Sequence, residues 1–181
     1  NNSSGSNLSR GVLTALLQDR RQGSDVVLLL EVDEASMPKV VDAVAPTHIV
    51  VLNLFRDQLD RYGEVTTTQD ILVESIKRAR MAQLILNADD PWIAQLAELT
   101  DHSHTEYFGL GIKDYDLLPH DNVIDLPIAQ SGAGFEYSRR YFGHLGHYVA
   151  EDKSYKRPKP MLEVTAVKQS KRAQKKISLT M

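Results

Sequence analysis

Along the first 110 residues, short and wholly apolar runs alternate with segments of helical period, and few architectures accommodate that alternation. Val26-Val27-Leu28-Leu29-Leu30, Ile49-Val50-Val51-Leu52 and Leu84-Ile85-Leu86 are brief and lack the polar alternation of a strand with one wet face. Such runs suit strands buried on both faces. Around them, Leu8, Val12, Leu13, Leu16 and Leu17 recur at helical spacing after Ser6 and Asn7, giving an amphipathic helix that ends near Gly23. Met37 to Val44 reads as a second helix, with Pro38 tolerable in its first turn. A longer helix is expected from about Thr68 to Ala82, with Ile71, Leu72, Ser75, Ile76 and Ala79 on one face. Pro91 opens another through Leu99, and Tyr107-Phe108 reads as a further strand. Strands alternating with helices imply an α/β fold, a three-layer parallel sheet with helices on both faces and right-handed crossovers.

From about Gly111 to Pro160 the texture changes to glycines, prolines and tyrosines without helical period, which predicts hairpins and loops in a small β-rich lobe. Leu162-Glu163-Val164-Thr165-Ala166-Val167 then alternates like a half-exposed strand, and Ile177-Ser178-Leu179 offers another. The chain thus divides into 1–110, a lobe over 111–160, and return strands over 161–181.

Composition excludes several function classes. There is no cysteine, hence no disulfide framework, thiolate zinc site or cysteine nucleophile. No apolar run approaches the roughly 20 residues of a membrane span, and the polar start is no signal peptide, so a cytoplasmic, non-spanning protein is expected. A first residue Asn1 rather than Met suggests a piece of something longer. The net charge of -3 gives no strong global field, although from Glu151 onward nine Lys and Arg face three Asp and Glu. That basic tail carries a rival reading, nucleic-acid contact through Lys171, Arg172, Lys175 and Lys176; without interleaved aromatics a solvated turn between two strands is preferred, and no nucleic acid is expected.

Open parallel sheets bind ligands beyond the carboxyl ends of their strands. Three apolar runs deliver carboxylates or carboxamides there: Glu31, Asp33 and Glu34 after Leu30; Asn53, with Asp57 and Asp60 downstream, after Leu52; Asn87, Asp89 and Asp90 after Leu86. Oxygen donors without thiolates suit magnesium and phosphate, and Arg56 and Arg61 are placed to neutralise phosphate charge. The plainer reading makes such residues caps of the following helices, and for Asp89 or Asp90 before Pro91 it is preferred. For Glu31 the functional reading is slightly ahead, because a carboxylate continuing a buried strand is costly unless paired or metal-bound.

No Walker-type loop and no G-x-G-x-x-G fingerprint occurs. The Asn2-Ser3-Ser4-Gly5-Ser6-Asn7 start offers N–H groups to an anion only weakly. His144 and His147 lie three apart, but without a third ligand packing is the better reading. No arrangement identifies a nucleophile, so catalytic residues stay unassigned.

Asn2-Ser3-Ser4-Gly5-Ser6-Asn7-Leu8, Leu30-Glu31-Val32-Asp33-Glu34-Ala35, Asn53 with Arg56-Asp57-Gln58-Leu59-Asp60-Arg61-Tyr62-Gly63-Glu64, and Leu86-Asn87-Ala88-Asp89-Asp90-Pro91 together resemble the central ATPase domain of the Mur ligase family. With Gly143-His144-Leu145-Gly146-His147-Tyr148 and Tyr155-Lys156-Arg157-Pro158, they are similar to its MurT branch, the ligase-like half of lipid II isoglutaminyl synthase. The resemblance implies ATP-dependent activation of the D-glutamate α-carboxyl of lipid II, then attack by ammonia from a GatD-type glutamine amidotransferase to give D-isoglutamine in peptidoglycan synthesis. It implies ATP and magnesium as cofactors, with Glu31 at the magnesium position and Asn87, with Asp89 or Asp90, at the nucleotide; Asn53 joins that cofactor-binding set. Gln58 stands where many Mur ligases carry a metal-binding His, and a carboxamide holds metal more weakly.

Two departures accompany the resemblance. The family's Gly-Lys-Thr phosphate loop and its C-terminal domain are missing, so a fragment that does not catalyse the reaction alone is expected; the alternative is a non-catalytic scaffold of the same fold. The branch also carries a zinc ribbon, whose two cysteine pairs fall at Leu126 and Ala129 and at Ala150 and Lys153. Zinc is therefore not expected, and packing by Phe135, Tyr137, Tyr141, Phe142 and Tyr148 is expected to replace it.

Overall fold

The apolar runs that pair are those with a neighbour to pair with. A computed structural model of the chain describes residues 27–54, 65–111, 129–137, 147–169 and 175–180. In it β1 (His48–Val51), β2 (Gln83–Asn87), β3 (Thr105–Leu110), β6 (Leu162–Gln169) and β7 (Lys175–Thr180) form one sheet in that order. The first four run parallel, in a register that pairs Val51 with Leu86, Leu86 with Tyr107 and Phe108 with Leu162. β7 returns antiparallel to β6, so the basic tail is two paired strands, with Lys168 opposite Lys176, on either side of residues 170–174.

Helices return the chain between the parallel strands. Asp33 accepts the Ala35 N–H and caps a 3-10 turn, Glu34–Ser36, that leads into α1 (Met37–Val44), with Pro38 in its first turn. Ala45 ends α1 in the left-handed conformation at φ 46. α2 (Val65–Arg78) begins and ends a few residues earlier than the apolar period predicts; Ala82, placed by that period at the helix end, instead follows a turn closed by its N–H to Ala79 O. The helix expected from Pro91 through Leu99 is two: α3 (Pro91–Ala94) and α4 (Leu96–Thr100), meeting at Gln95.

All four helices feed one core. Val41, Ile49, Val51, Leu72, Ile76, Leu84, Leu86, Ile93 and Leu96 pack together. Each such side chain contributes about 1.5–3 kcal/mol on full burial. On the other face of β1 Val50 is 52% exposed, and Leu52, just beyond the strand, is 60% exposed. Among the described residues, then, helices cover one face of the sheet.

The apolar run before Glu31 departs from expectation. Residues 27–30 take no regular structure, and Val27 is 90% and Leu29 68% exposed. Apolarity makes a segment worth burying, but a ladder needs a partner strand, and β1 opens the described sheet without one on that side.

The lobe is a small antiparallel pair, β4 (Phe135–Tyr137) and β5 (Tyr148–Ala150), with Phe135 opposite Ala150 and Tyr137 opposite Tyr148. Phe135 meets Tyr148 edge-on at 5.2 Å between ring centres, and Tyr148 stacks on Tyr155 at 6.5 Å. Such pairs add about 0.5–1.5 kcal/mol beyond their buried area. Ala129 and Ala150, two of the positions assigned to ribbon cysteines, are buried in this cluster, which also takes in Ala94 of α3 and the flank of Tyr107 from β3. Tyr155 belongs to the cluster although sequence reasoning omitted it; Tyr141 and Phe142 lie outside the described residues.

Candidate functional site

The carboxyl ends of β1 and β2 place two carboxamides side by side. Asn87, the last residue of β2 and fully buried, donates from Nδ2 to Oδ1 of Asn53 at 2.9 Å. Its own Oδ1 accepts the backbone N–H of Asp89 at 2.9 Å, so the turn after β2 fixes the orientation of the amide.

Asp90 follows as the N-cap of α3, accepting the Trp92 N–H at Oδ1 (2.9 Å), as the Pro91 motif predicts. Its Oδ2 accepts the Leu54 N–H at 3.0 Å, which pins the loop after β1 to the start of α3. Burial pushes this carboxyl up from its ordinary 3.8 to about 6; the N–H groups of Leu54, Trp92 and Ile93 oppose the rise, and the Asp89 charge adds to it.

Asp89 is not the cap. Completely buried, it accepts the Leu110 N–H at Oδ2 (2.6 Å) and the Arg157 Nε–H at Oδ1 (2.7 Å). Arg157, its side chain 9% exposed, also donates from Nη2 to the Leu110 carbonyl at 3.0 Å. One guanidinium thereby ties the lobe's chain after β5 to the ends of β2 and β3. Gly109 makes room for it: a Cβ there would stand 2.7 Å from Arg157 Nη2 and 3.1 Å from Asp89 Oδ2.

Of the residues singled out from sequence, Asn53, Asn87, Asp89 and Asp90 thus converge on one edge. The two carboxylates already have both oxygens engaged by the chain, which suits them to framing the site better than to holding a cation. Glu31 is exposed, just ahead of the Asp33 cap. Glu31 does not continue a buried strand, since residues 27–30 take no regular structure, and an exposed carboxylate avoids the desolvation cost that a buried one would carry. Exposed, it remains accessible to a hydrated magnesium ion, which commonly keeps several waters and takes one or two carboxylates. Arg56, Asp57, Gln58, Asp60, Arg61, His144 and Leu126 lie outside the described residues, as do Lys171 and Arg172. No group of three or more His, Asp or Glu able to hold a metal occurs among the described residues, and none of their helices is long and apolar enough to cross a membrane.

Nothing in the sequence around Arg157 points to this role at Asp89. Its only trace was its place in the Tyr155-Lys156-Arg157-Pro158 motif, which carries no indication of a partner 68 positions away.

The turn at 150–153, where the second cysteine pair of the zinc ribbon falls, is closed by hydrogen bonds. Lys153, at φ 60, donates its N–H to Ala150 O at 2.8 Å, and Asp152 accepts the N–H and hydroxyl of Ser154. The Ser154 and Ser131 hydroxyls are 3.0 Å apart and join this turn to the one at 129–132. Bonds from Ser131 and Ser154 hold the Asp152 carboxyl below its ordinary range.

No family model matches the chain. Among curated proteins it is 32% identical over 160 residues to the MurT subunit of lipid II isoglutaminyl synthase (glutamine-hydrolyzing) from Streptococcus pneumoniae, a match covering 87% of this chain and 35% of that protein. The subunit of the same name from Staphylococcus aureus is 27% identical over 165 residues, 91% of this chain and 37% of that protein. The chain spans about a third of the length of the curated relatives it matches.

Proposed function

We propose that this chain, similar in sequence to a segment of MurT subunits over most of its length, forms part of an ATP-dependent amide-forming ligase of lipid II. The observation that carries the reading is that similarity, 87–91% of the chain in two bacteria, running through the residues that converge at the ends of β1 and β2. The reaction proposed transfers the γ-phosphoryl group of ATP to the α-carboxylate of D-glutamate in the lipid II stem. Ammonia then attacks the carbonyl carbon, phosphate leaves with the electron pair of the C–O bond, and D-isoglutamine results. A GatD-type glutamine amidotransferase is the proposed source of ammonia.

Within that reading the chain's own residues divide their work. Asn53, with the buried Asn87 amide behind it, forms the pair that faces the nucleotide. Asp89 and Asp90, buried and fully engaged, hold the turn that presents Asn87 and the loop that presents Asn53. Glu31 would hold magnesium, whose charge offsets that of the phosphates. Zinc is not expected in the lobe, because Ala129 and Ala150 lie buried in the aromatic cluster and Lys153 closes a hydrogen-bonded turn, so these three positions offer no thiolate.

Thermal stability with and without magnesium-ATP tests the proposal in the intact gene product. At ligand about 100 times Kd the expected gain is about 2.7 kcal/mol, and Glu31→Ala is expected to remove most of it. An intact protein that magnesium-ATP does not stabilise would favour a scaffold of the same fold without catalysis.

A further inference from the structure

We infer that Arg157 is a positioning residue, which through Asp89 holds the Asn53–Asn87 carboxamide pair at the strand ends. The inference rests on the reading of that pair as nucleotide-facing. The contacts form one unbroken series: Arg157 Nε to Asp89 Oδ1 at 2.7 Å, Asp89 N–H to Asn87 Oδ1 at 2.9 Å, and Asn87 Nδ2 to Asn53 Oδ1 at 2.9 Å. It begins in the lobe, on the segment after β5, and ends on the loop after β1.

The series acts through the buried charge. Asp89 has no exposed surface, and its carboxylate accepts from the Arg157 guanidinium and the Leu110 N–H. Removing the guanidinium takes away the cationic donor of a fully buried carboxylate, which favours its protonation or a turn toward water. Either response moves the backbone that offers its N–H to Asn87, and the Asn87 amide loses the contact that fixes which end faces Asn53. A buried ion pair is a poor source of net stability, because desolvating both ions offsets most of their attraction. Its effect is to impose a single geometry, and here that geometry is two residues from Asn87. Gly109 adds the complementary observation: the sheet omits a side chain where the guanidinium must lie.

Asparagine-selective 15N labelling of the intact gene product reads the side-chain amides of Asn87 and Asn53, and calorimetric titration reads magnesium-ATP affinity. In Arg157→Met, assayed well below its melting temperature, the Asn87 amide protons are expected to lose protection from exchange. Affinity is expected to fall about tenfold, the lower end for residues that act through a ligand's own partner. Arg157→Lys restores the charge without the two-pronged donor and recovers part of both signals. A role in stability alone would lower the melting temperature of Arg157→Met and leave both signals intact, which would overturn the inference. If the unaltered protein does not bind magnesium-ATP, the nucleotide reading falls and the Asn87 protons still decide the positioning role. Should Arg157→Met fail to fold, Arg157→Lys and Gly109→Ala, which crowds Nη2, supply the same two readouts.

Discussion

Asp90 is expected to make this protein more stable in mild acid than its other carboxylates would allow. Its carboxyl, buried with both oxygens on backbone N–H groups, sits at about 6 instead of 3.8. Between those values the folded chain binds more protons at this site than the unfolded chain, so the site's contribution is fully present below pH 3.8 and is lost as pH rises through 6. Raising this carboxyl from 3.8 to about 6 corresponds to about 3 kcal/mol over the full range, of which about 1.3 kcal/mol falls between pH 7 and pH 5. The comparison is with Asp90→Asn, whose carbonyl still accepts from Trp92 or Leu54 while its amino group opposes the other N–H. That loss is about 1 kcal/mol and does not titrate. Urea denaturation of both proteins from pH 5 to 7.5 isolates the site: the stability of the wild type minus that of Asp90→Asn should rise by about 1.3 kcal/mol on going from pH 7 to pH 5. At about 2–4 °C per kcal/mol, the melting difference should move by about 3–5 °C. A difference that is flat across this range, or that rises with pH, would refute the claim that burial outweighs the backbone donors.

The Arg157–Asp89 pair gives a second prediction. Arg157→Met should cost about 3–5 kcal/mol in chemical denaturation, the penalty of an unpaired buried charge, and adding Asp89→Asn should recover part of it; a double variant whose two losses simply add would show that the residues do not interact energetically. The lobe gives a third. Because aromatic rings and hydroxyl-tied turns hold it, a metal chelator should leave the melting temperature unchanged and elemental analysis should find zinc well below one equivalent. Stoichiometric zinc would contradict this.

Much of the sheet was legible because periodicity is local. Ile49 to Leu52, Leu84 to Leu86 and Leu162 to Val167 each announce a strand within a handful of residues, and Asp89 or Asp90 before Pro91 announces a cap that the structure gives to Asp90. The run from Val27 to Leu30 carries the same local signal and is not a strand, since apolarity records what a segment gains by burial and not whether another strand lies beside it. The convergence of Asn53, Asn87, Asp89 and Asp90 was legible from topology, because parallel strands deliver their carboxyl ends to one edge. Which of them frames the edge and which faces outward was not. That depends on Arg157, Leu110 and Leu54, and neither a charge 68 positions away nor a backbone N–H leaves a pattern in sequence.

The same long-range bond bears on how the chain comes apart. Opening the lobe alone would withdraw the segment after β5, and with it Arg157, leaving Asp89 charged inside the edge of an otherwise intact sheet. A partly open state of that kind is penalised at the moment it forms, so the aromatic cluster and the sheet core are tied into one cooperative unit although each has its own apolar interior. In amide hydrogen exchange, Val149 and Tyr148 in the lobe should therefore open together with Leu84 and Leu86 in the sheet, at a shared free energy, and not fray first as a two-stranded ribbon on its own would.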